Sequence, residues 1–171
     1  LADNLEDAGL DVLVLHSDLD QRDRDETLIL FSNKSYPILI ATDVAARGID
    51  VKDIDLVINY DLPHDNEVYV HRIGRTARAG ASGRSISFVE DKYRLDDLED
   101  ALDTRIDLEN VSQLETNEKF DLKSKFSTIF INGGKKSKVR AGDILGALTA
   151  GVGLSKDDIG KIDILQFCSY V

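Results

Sequence analysis

The chain lacks methionine altogether and contains a single cysteine among its 171 residues. One cysteine excludes an internal disulfide, and three scattered histidines without cysteine partners argue against a zinc site, so no metal ligands are predicted. The longest apolar runs, VLVL and ILIA, are strand-sized and cannot span a bilayer, and no signal peptide opens the sequence. These absences predict a cytoplasmic protein with no membrane partner. The lack of methionine also predicts that the sequence begins inside a longer protein.

Positive charge is scarce, because 21 basic residues face 32 acidic ones and the formal net charge is -11. Such a balance argues against a nucleic-acid partner, since phosphate binding requires Lys and Arg. The charge is uneven, however. Residues 1–20 carry six acids and no Lys or Arg, whereas residues 125–171 carry seven basic residues against four acids. Basic surfaces can therefore exist locally on this acidic chain.

Short apolar runs alternate with helical patterns over residues 1–102, as in βαβ units around a parallel sheet. The predicted strands are residues 12–16, 37–42, 55–60 and 84–89. Continuous hydrophobicity in the first three predicts burial on both faces of the sheet. Helices are predicted at residues 21–33, capped by Asp20, from about 65 towards Gly80, and at 91–102.

The pattern changes after residue 102. Residues 103–124 mix charge and polarity without a sustained period, which predicts a linker. A second, α+β unit follows over residues 125–171, with a strand at 126–132, a helix at 140–150 and one or two strands after 158. It is a β-α-β start with too few residues to close a sheet.

The decapeptide HRIGRTARAG, residues 71–80, concentrates three arginines and a histidine. On a helix, His71, Arg75 and Arg78 would share one face. The neighbouring face, which would pack on the sheet, would hold Val70, Ile73 and Ala77. The basic face suits phosphate oxygens through bidentate guanidinium contacts, but it is equally typical of a solvated helix paired with nearby acids. The residues alone leave both interpretations open.

Four stretches together resemble the second RecA-like domain of the DEAD-box RNA helicases. HRIGRTARAG resembles the family's motif VI, ATDVAARGID at residues 41–50 resembles motif V, and QRDR at residues 21–24 resembles its Q-x-x-R RNA-contact motif. LVINYDLP at residues 56–63 is similar to the segment between motifs V and VI. The resemblance implies an α/β fold in which helices flank a RecA-like parallel sheet.

The resemblance also implies roles for individual residues. Arg75 and Arg78 would be arginine fingers on the terminal phosphate of ATP, which a first RecA-like domain would hold together with Mg²⁺. The other residues implied to contact the nucleotide or the interdomain cleft are Asp50, at the ribose, Arg47 and Gly48. Those implied to contact the RNA backbone are Gln21, Arg24, Thr42 and Asp43. Those implied to tie motif VI to its neighbours are His71 and Arg72.

Simpler interpretations remain for some of these residues, and the family pattern is incomplete. Thr42 and Asp43 could cap a helix, and Gly48 could be a plain turn. Ser17 and Ala77 stand where the family commonly has glycine. No G-x-x-x-x-G-K-[ST] loop and no D-E-A-D box occur in the sequence. The chain is therefore expected to be a fragment that does not hydrolyse ATP by itself.

The second unit resembles the RNA-binding tail domain of the bacterial DbpA subfamily, an RRM-like fold that recruits the helicase to a large-subunit ribosomal RNA hairpin. The similar stretches are residues 130–148 and 158–164. Strand phase would place Phe130 outward for base stacking, although an ordinary core phenylalanine is the alternative. The basic residues that would meet phosphates, or form a solvated loop, are Lys135, Lys136, Lys138 and Arg140.

The sequence thus predicts part of an ATP-dependent RNA helicase that remodels structured RNA, with ribosomal RNA during large-subunit assembly as its expected substrate. The predicted organisation is a helicase C-terminal domain at 1–102, a linker at 103–124 and a truncated RRM-like domain at 125–171. One alternative is a non-catalytic RNA-binding adaptor with a degenerate RecA fold, against which the retention of Arg75 and Arg78 argues. A general nucleic-acid translocase is the other.

Overall fold

The computed structural model describes residues 1–46, 51, 54–76, 83–90, 92–114 and 122–171. The chain divides into two compact units. The first unit joins the two ends of the sequence, residues 1–49 and 121–171, and the second consists of residues 50–120. None of the described helices is both long and apolar enough to cross a membrane.

The first unit opens with two βα segments. Its elements are α1 (Ala2–Asp7), β1 (Val12–Leu15), α2 (Gln21–Ser32), β2 (Ile38–Ala41) and α3 (Asp43–Ala46). β1 and β2 are parallel, and their carboxyl ends meet where Leu15 lies opposite Ala41. The Asp20 carboxylate accepts a 2.9 Å hydrogen bond from the Asp23 backbone N–H, which confirms the predicted cap of α2.

The second unit contains another parallel pair. Its elements are β3 (Leu56–Asn59), α4 (Asn66–Ile73), β4 (Arg84–Ser87), α5 (Lys92–Leu102) and a 3₁₀ turn at Val111–Gln113. β3 lies parallel to β4 with Asn59 opposite Ser87. Leu95 and Leu98 of α5 lie one turn apart and are both buried, so this helix packs one apolar face inward.

The prediction that the first three strands are buried on both faces was wrong for β3. Val57 and Asn59 of β3 are shielded, whereas Leu56 and Ile58 are exposed. Successive residues of a strand point to opposite faces, so only one face of β3 is covered. In β1 each face has a buried residue, Val12 on one and Leu15 on the other, although Val14 is 37% exposed. Each parallel pair has two described strands, and the one-sided burial is confined to the pair of the second unit, where Leu56 and Ile58 of β3 and Ile86 of β4 are exposed.

The helix predicted to run towards Gly80 ends at Ile73 instead. Gly74 follows as the C-cap and donates its N–H to the Val70 carbonyl at 2.9 Å. Arg75 and Thr76 then form a turn, donating their N–H groups to the carbonyls of Arg72 and Ile73 at 3.2 and 3.1 Å. Arg75 therefore lies beyond the helix, and the predicted basic face that joined it to His71 was wrong.

The predicted apolar face of α4 was also wrong in part. Val70 is 41% exposed, and the residue that α4 buries is Tyr69. Tyr69 has a second anchor, because its hydroxyl lies 3.2 Å from the Ser87 hydroxyl of β4. Ala77 lies outside the described residues.

We call residues 122–171 the tail; it belongs to the first unit. Its elements are β5 (Phe130–Ile131), a 3₁₀ turn (Lys135–Ser137), α6 (Ala141–Gly146) with a π-helical end (Ala147–Gly151), a 3₁₀ turn (Lys156–Asp158), β6 (Asp163–Ile164) and β7 (Ser169–Tyr170). The strands form an antiparallel sheet in the order β5-β7-β6. The helix predicted at 140–150 is confirmed, whereas the strand predicted at 126–132 is shorter. The RRM-like assignment stays a prediction.

Candidate RNA-binding and phosphate-binding sites

Polar residues collect where β1 and β2 end, and we call His16, Asp18, Arg24, Thr42 and Asp43 the strand-end cluster. The Thr42 N–H donates to the Leu15 carbonyl at 3.1 Å, which extends the parallel pairing by one residue. The His16 imidazole accepts a 3.3 Å hydrogen bond from the Asp18 N–H through Nδ1. Two loops are therefore held side by side at the sheet edge where α/β folds bind their ligands.

Arg24 braces this cluster from α2. Its Nη1 donates to the His16 carbonyl at 3.5 Å and its Nη2 to the Ala45 carbonyl at 3.2 Å. Ala45 lies in α3 and is fully buried. The half-buried guanidinium thus joins the loop after β1 to the helix after β2. Its predicted contact with RNA stays a prediction beside this structural role.

The other predicted RNA contacts of the first unit lie close by in sequence and on its surface. Gln21 is exposed in the first turn of α2, where its Nε2 donates to the Asp25 carboxylate at 2.6 Å. Thr42 is exposed, and Asp43 opens α3. The predicted residues Arg47, Gly48 and Asp50 lie outside the described residues.

In the second unit, Arg72 connects motif VI with the end of β3. Its Nη1 donates to the Asn59 side-chain oxygen at 3.2 Å and to the Asp61 carbonyl at 2.7 Å. Asn59 is almost fully buried, and its Nδ2 donates to the Ser87 hydroxyl at 3.1 Å. Arg72 thus joins α4 to the end of β3, and its predicted role in tying the decapeptide to neighbouring motifs stays a prediction. His71, predicted to act with it, is exposed.

Arg75 lies on a turn that is fixed from both sides. The backbone hydrogen bonds described above close the turn, and the buried Thr76 hydroxyl donates to the Ile54 carbonyl. The turn thus fixes the backbone from which the Arg75 side chain extends, and a guanidinium is a donor that fits the oxygens of a phosphate. Arg78, its predicted partner, lies outside the described residues.

Four exposed basic residues, Lys135, Lys136, Lys138 and Arg140, form what we call the basic loop. Its backbone is tied to the segment before β7, because the Lys135 and Lys136 N–H groups donate to the carbonyls of Leu165 and Gln166, each at 2.9 Å. Lys138 adopts a φ of 59°, which is uncommon for a residue other than glycine. The structure thus brings the four predicted residues together on an ordered support.

Gly134 makes this support possible. A Cβ atom at this position would lie 2.5 Å from the Leu165 carbonyl oxygen and 2.7 Å from the Cys168 backbone nitrogen. Both atoms belong to backbone, which cannot give way as a flexible side chain can. The basic loop therefore depends on a residue without a side chain at its start.

We expect Gly134→Ala to destabilise the tail by about 1–3 kcal/mol, the usual cost of overpacking a closely fitted site. The matched control is Gly146→Ala in α6, where a Cβ would meet nothing within 4 Å. This control should be neutral or stabilising by up to about 1 kcal/mol, because alanine favours a helix. Urea unfolding of the chain measures both changes. Equal stability of the two variants would contradict the close approach at Gly134.

Phe130 is exposed, so it is not the ordinary core phenylalanine that the sequence analysis kept as an alternative. Its side chain is 47% exposed, and its ring meets the buried Tyr170 edge-on at a centroid distance of 5.5 Å. Burial, and then the neighbouring Glu26 carboxylate, raise the pKa of the Tyr170 hydroxyl above its usual range. Phe130 thus packs on the buried, protonated Tyr170 and keeps part of its own ring open to solvent.

Phe167 was missed by the sequence analysis. It is 61% exposed, and the Lys136 ammonium lies 4.5 Å from its ring centroid in a cation–π contact. No sequence spacing links the two residues, because the contact depends on the folded turn before β7. Among the described residues, no group of three or more His, Cys, Asp or Glu side chains could hold a metal ion.

Comparison with known proteins divides the chain into two conserved regions. The family described as the helicase conserved C-terminal domain matches residues 1–80. The family described as the DbpA RNA binding domain matches residues 128–171. The first region contains the strand-end cluster and Arg75, and the second contains the basic loop.

Two bacterial proteins are similar to the chain over its whole length. The ATP-dependent RNA helicase DbpA of Escherichia coli (strain K12) is 48% identical over 176 residues, and that of Bacillus subtilis (strain 168) is 41% identical over 193 residues. Both alignments cover 100% of this chain, but 37% and 40% of the relatives. The chain therefore spans about two fifths of the length of these curated relatives.

A solved structure with a similar fold is that of the E. coli DEAD-box protein SrmB bound to regulator of ribonuclease activity A (RraA). Its sequence identity is 34% and its TM-score 0.61, over 74% of this chain and 71% of that chain. This similarity confirms the predicted RecA-like α/β fold with its parallel strands.

Proposed function

This chain belongs to the DbpA-like subfamily of the DEAD-box RNA helicases, and from that membership we propose that it is the second RecA-like domain and RNA-binding tail of an ATP-dependent RNA helicase. The observation that carries the proposal is the succession of a helicase C-terminal region, residues 1–80, and an RNA-binding region, residues 128–171, with an ordered basic loop. The first region would serve the ATPase cycle and the second would bind RNA.

ATP use would require a first RecA-like domain that holds the nucleotide and Mg²⁺. In this proposal Arg75 supplies positive charge to the terminal phosphate, and the fixed turn positions the backbone from which its side chain reaches the nucleotide. Charge that is already oriented stabilises a phosphoryl-transfer transition state more than a mobile side chain would. Arg78, Arg47, Gly48 and Asp50 are proposed to complete this nucleotide site.

RNA grip and RNA choice would lie in different parts of the chain. The strand-end cluster can offer contacts to sugar and phosphate, which hold any strand without reading its sequence. The tail combines an exposed aromatic residue with a basic loop, the combination that RNA-recognition modules use to select RNA. We therefore propose that the tail directs the helicase to a ribosomal RNA hairpin during large-subunit assembly, in the cytoplasm.

The proposal is tested by joining the first RecA-like domain of the E. coli relative to this chain and measuring ATP hydrolysis with and without RNA. We expect RNA to stimulate hydrolysis by the joined protein and neither component to hydrolyse ATP alone, because each would lack half of the nucleotide site. The intact E. coli relative is the positive control. A joined protein that binds RNA without any ATP hydrolysis would instead support the adaptor alternative.

A further inference from the structure

The first unit contains a cleft of about 530 Å³ that neither the helicase motifs nor the basic loop explain. Clefts of roughly 300–1,000 Å³ are the usual size of sites for small ligands. One wall is the first part of α2, which contributes Arg22 and Asp25. The other walls come from the tail. We call this site the α2–tail cleft.

Polar contacts fix the relative position of these walls. At the far end of α2, the Thr128 hydroxyl lies 2.6 Å from the Ser35 hydroxyl and accepts a 3.4 Å hydrogen bond from the Asn33 amide. Near the cleft, the Glu26 carboxylate of α2 lies close enough to the buried Tyr170 hydroxyl to contribute to the rise of its pKa. The tail is therefore joined to the segment that follows α2, and it also approaches the middle of the helix at Glu26, beside the cleft.

Aromatic rings line the tail side. Phe130 and Phe167 both border the cleft, and both are substantially exposed. Tyr170 supports Phe130 edge-on, and the Lys136 ammonium covers Phe167. Each ring is thus held by a neighbour while part of its surface stays open. Exposed, supported rings suit the stacking of a flat ligand.

Hydrogen-bonding groups complete the lining. Asn132 and Gln166 contribute carboxamides, each of which can donate and accept. The Asp25 carboxylate is oriented by Gln21, whose Nε2 lies 2.6 Å from it. Arg22 adds a guanidinium. Stacking surfaces, carboxamides and a carboxylate match the faces and edges of a nucleobase, and the guanidinium matches its phosphate.

We propose that the α2–tail cleft receives one unpaired base of the bound RNA, so that the helicase helix α2 and the RNA-binding tail contact the same nucleotide. This inference rests on the proposed RNA binding and adds a base-reading site that includes Arg22 and Asp25 of the helicase region. These two residues lie beside the Q-x-x-R residues in α2. Arg24 belongs to the strand-end cluster while Arg22 and Asp25 line the cleft, so one helix supports both proposed RNA contacts.

Cys168 lines the cleft and is the one cysteine of the chain, which makes it a reporter without any substitution. The experiment measures the rate at which a thiol reagent modifies Cys168 alone, with a saturating hairpin RNA that carries an unpaired loop and flank, and with a saturating blunt duplex. We expect the hairpin to slow modification at least several-fold and the duplex to leave the rate unchanged. A Cys168 that reacts equally fast with saturating hairpin, or that is unreactive without RNA, would overturn the proposal.

Substitutions test the two walls separately. Phe130→Ala should weaken hairpin binding about 5- to 150-fold, the loss that corresponds to one stacked base. Arg22→Ala should weaken it about fivefold in 0.1 M salt, as for one phosphate contact. Neither should alter duplex binding. The matched controls are Phe126→Ala, another exposed aromatic of the tail, and Lys156→Ala, another exposed cation.

The outcomes separate this inference from the proposed function. If the chain binds neither the hairpin nor the duplex, the proposed RNA-binding function is wrong. If it binds the hairpin but Cys168 stays unprotected, or Phe126→Ala weakens binding as much as Phe130→Ala, the cleft is not a base site and the wider proposal stands. Phe130→Tyr keeps the aromatic ring and should retain hairpin affinity. A loss of hairpin affinity in Phe130→Tyr would contradict stacking.

Discussion

Replacing Arg75 by alanine is expected to lower the RNA-stimulated ATP hydrolysis of the joined helicase by about 10³- to 10⁵-fold, the range observed when arginine fingers are removed from phosphoryl-transfer enzymes. The reason is electrostatic. Negative charge spreads over the phosphate oxygens in the transition state, and a fixed guanidinium stabilises it. The turn that holds Arg75 remains closed in the variant, because backbone groups and Thr76 form it.

The measurement compares kcat for ATP hydrolysis with RNA affinity in the same variants. Arg75→Ala should lower kcat and leave RNA binding largely intact. Arg75→Lys keeps the charge but loses the planar pair of donors. Its kcat should therefore fall between that of the unsubstituted protein and that of Arg75→Ala. The control is Arg84→Ala, which removes an exposed arginine of β4 in the same unit. An unchanged kcat in Arg75→Ala would reject the phosphate role.

Replacing Lys135, Lys136 and Lys138 together by alanine is expected to weaken hairpin RNA binding about 100-fold in 0.1 M salt. Each lost phosphate contact removes about 0.7–0.9 from the slope of log affinity against log salt, so the slope should become shallower by about 2–3 units. The cause is counterion release, because fewer cations leave the RNA when fewer lysines bind it. Affinities measured over a range of salt concentrations give both quantities.

The control for this variant removes the same charge from other exposed sites of the tail, by combining Lys125→Ala, Lys156→Ala and Lys161→Ala. A general electrostatic attraction would make the two triple variants equally weak. If the basic loop binds the RNA, the first triple variant should bind hairpin RNA much more weakly than the second. Lys136→Ala also removes the ammonium that holds the Phe167 ring. This variant alone should therefore lower hairpin affinity more than Lys135→Ala does.

The sequence predicted the elements of the fold well, because their signals are local. Alternating apolar and helical stretches located both parallel pairs, and Asp20 marked the start of α2. The end of α4 was placed too late. The pattern continues past Gly74, and the decisive contact is the hydrogen bond from Thr76 to Ile54, which lies 22 residues earlier in the chain. Sequence periodicity cannot show such a contact.

In the candidate sites, too, local features could be predicted from the sequence and long-range contacts could not. The motifs located Arg72, Arg75 and the basic loop, because each is a recognisable run of residues. The α2–tail cleft could not be predicted in this way. Arg22 and Phe167 belong to distant segments that meet only in the folded first unit, and neither segment carries a signal for the other. The exposure of Phe130 likewise depends on how Tyr170 packs beneath it.

The first unit is assembled from the two ends of the chain, and this arrangement affects how the protein can fold during synthesis. The hydrogen bond between the Ser35 and Thr128 hydroxyls and the one from the Asn33 amide to Thr128 join residues that are 93 and 95 positions apart. At a ribosomal rate of about 5–20 residues per second, roughly 5–19 s pass between the emergence of the two segments. During that interval α2 is exposed on the side that the tail will cover, so the nascent helicase region is open to chaperones before its RNA-binding surface exists.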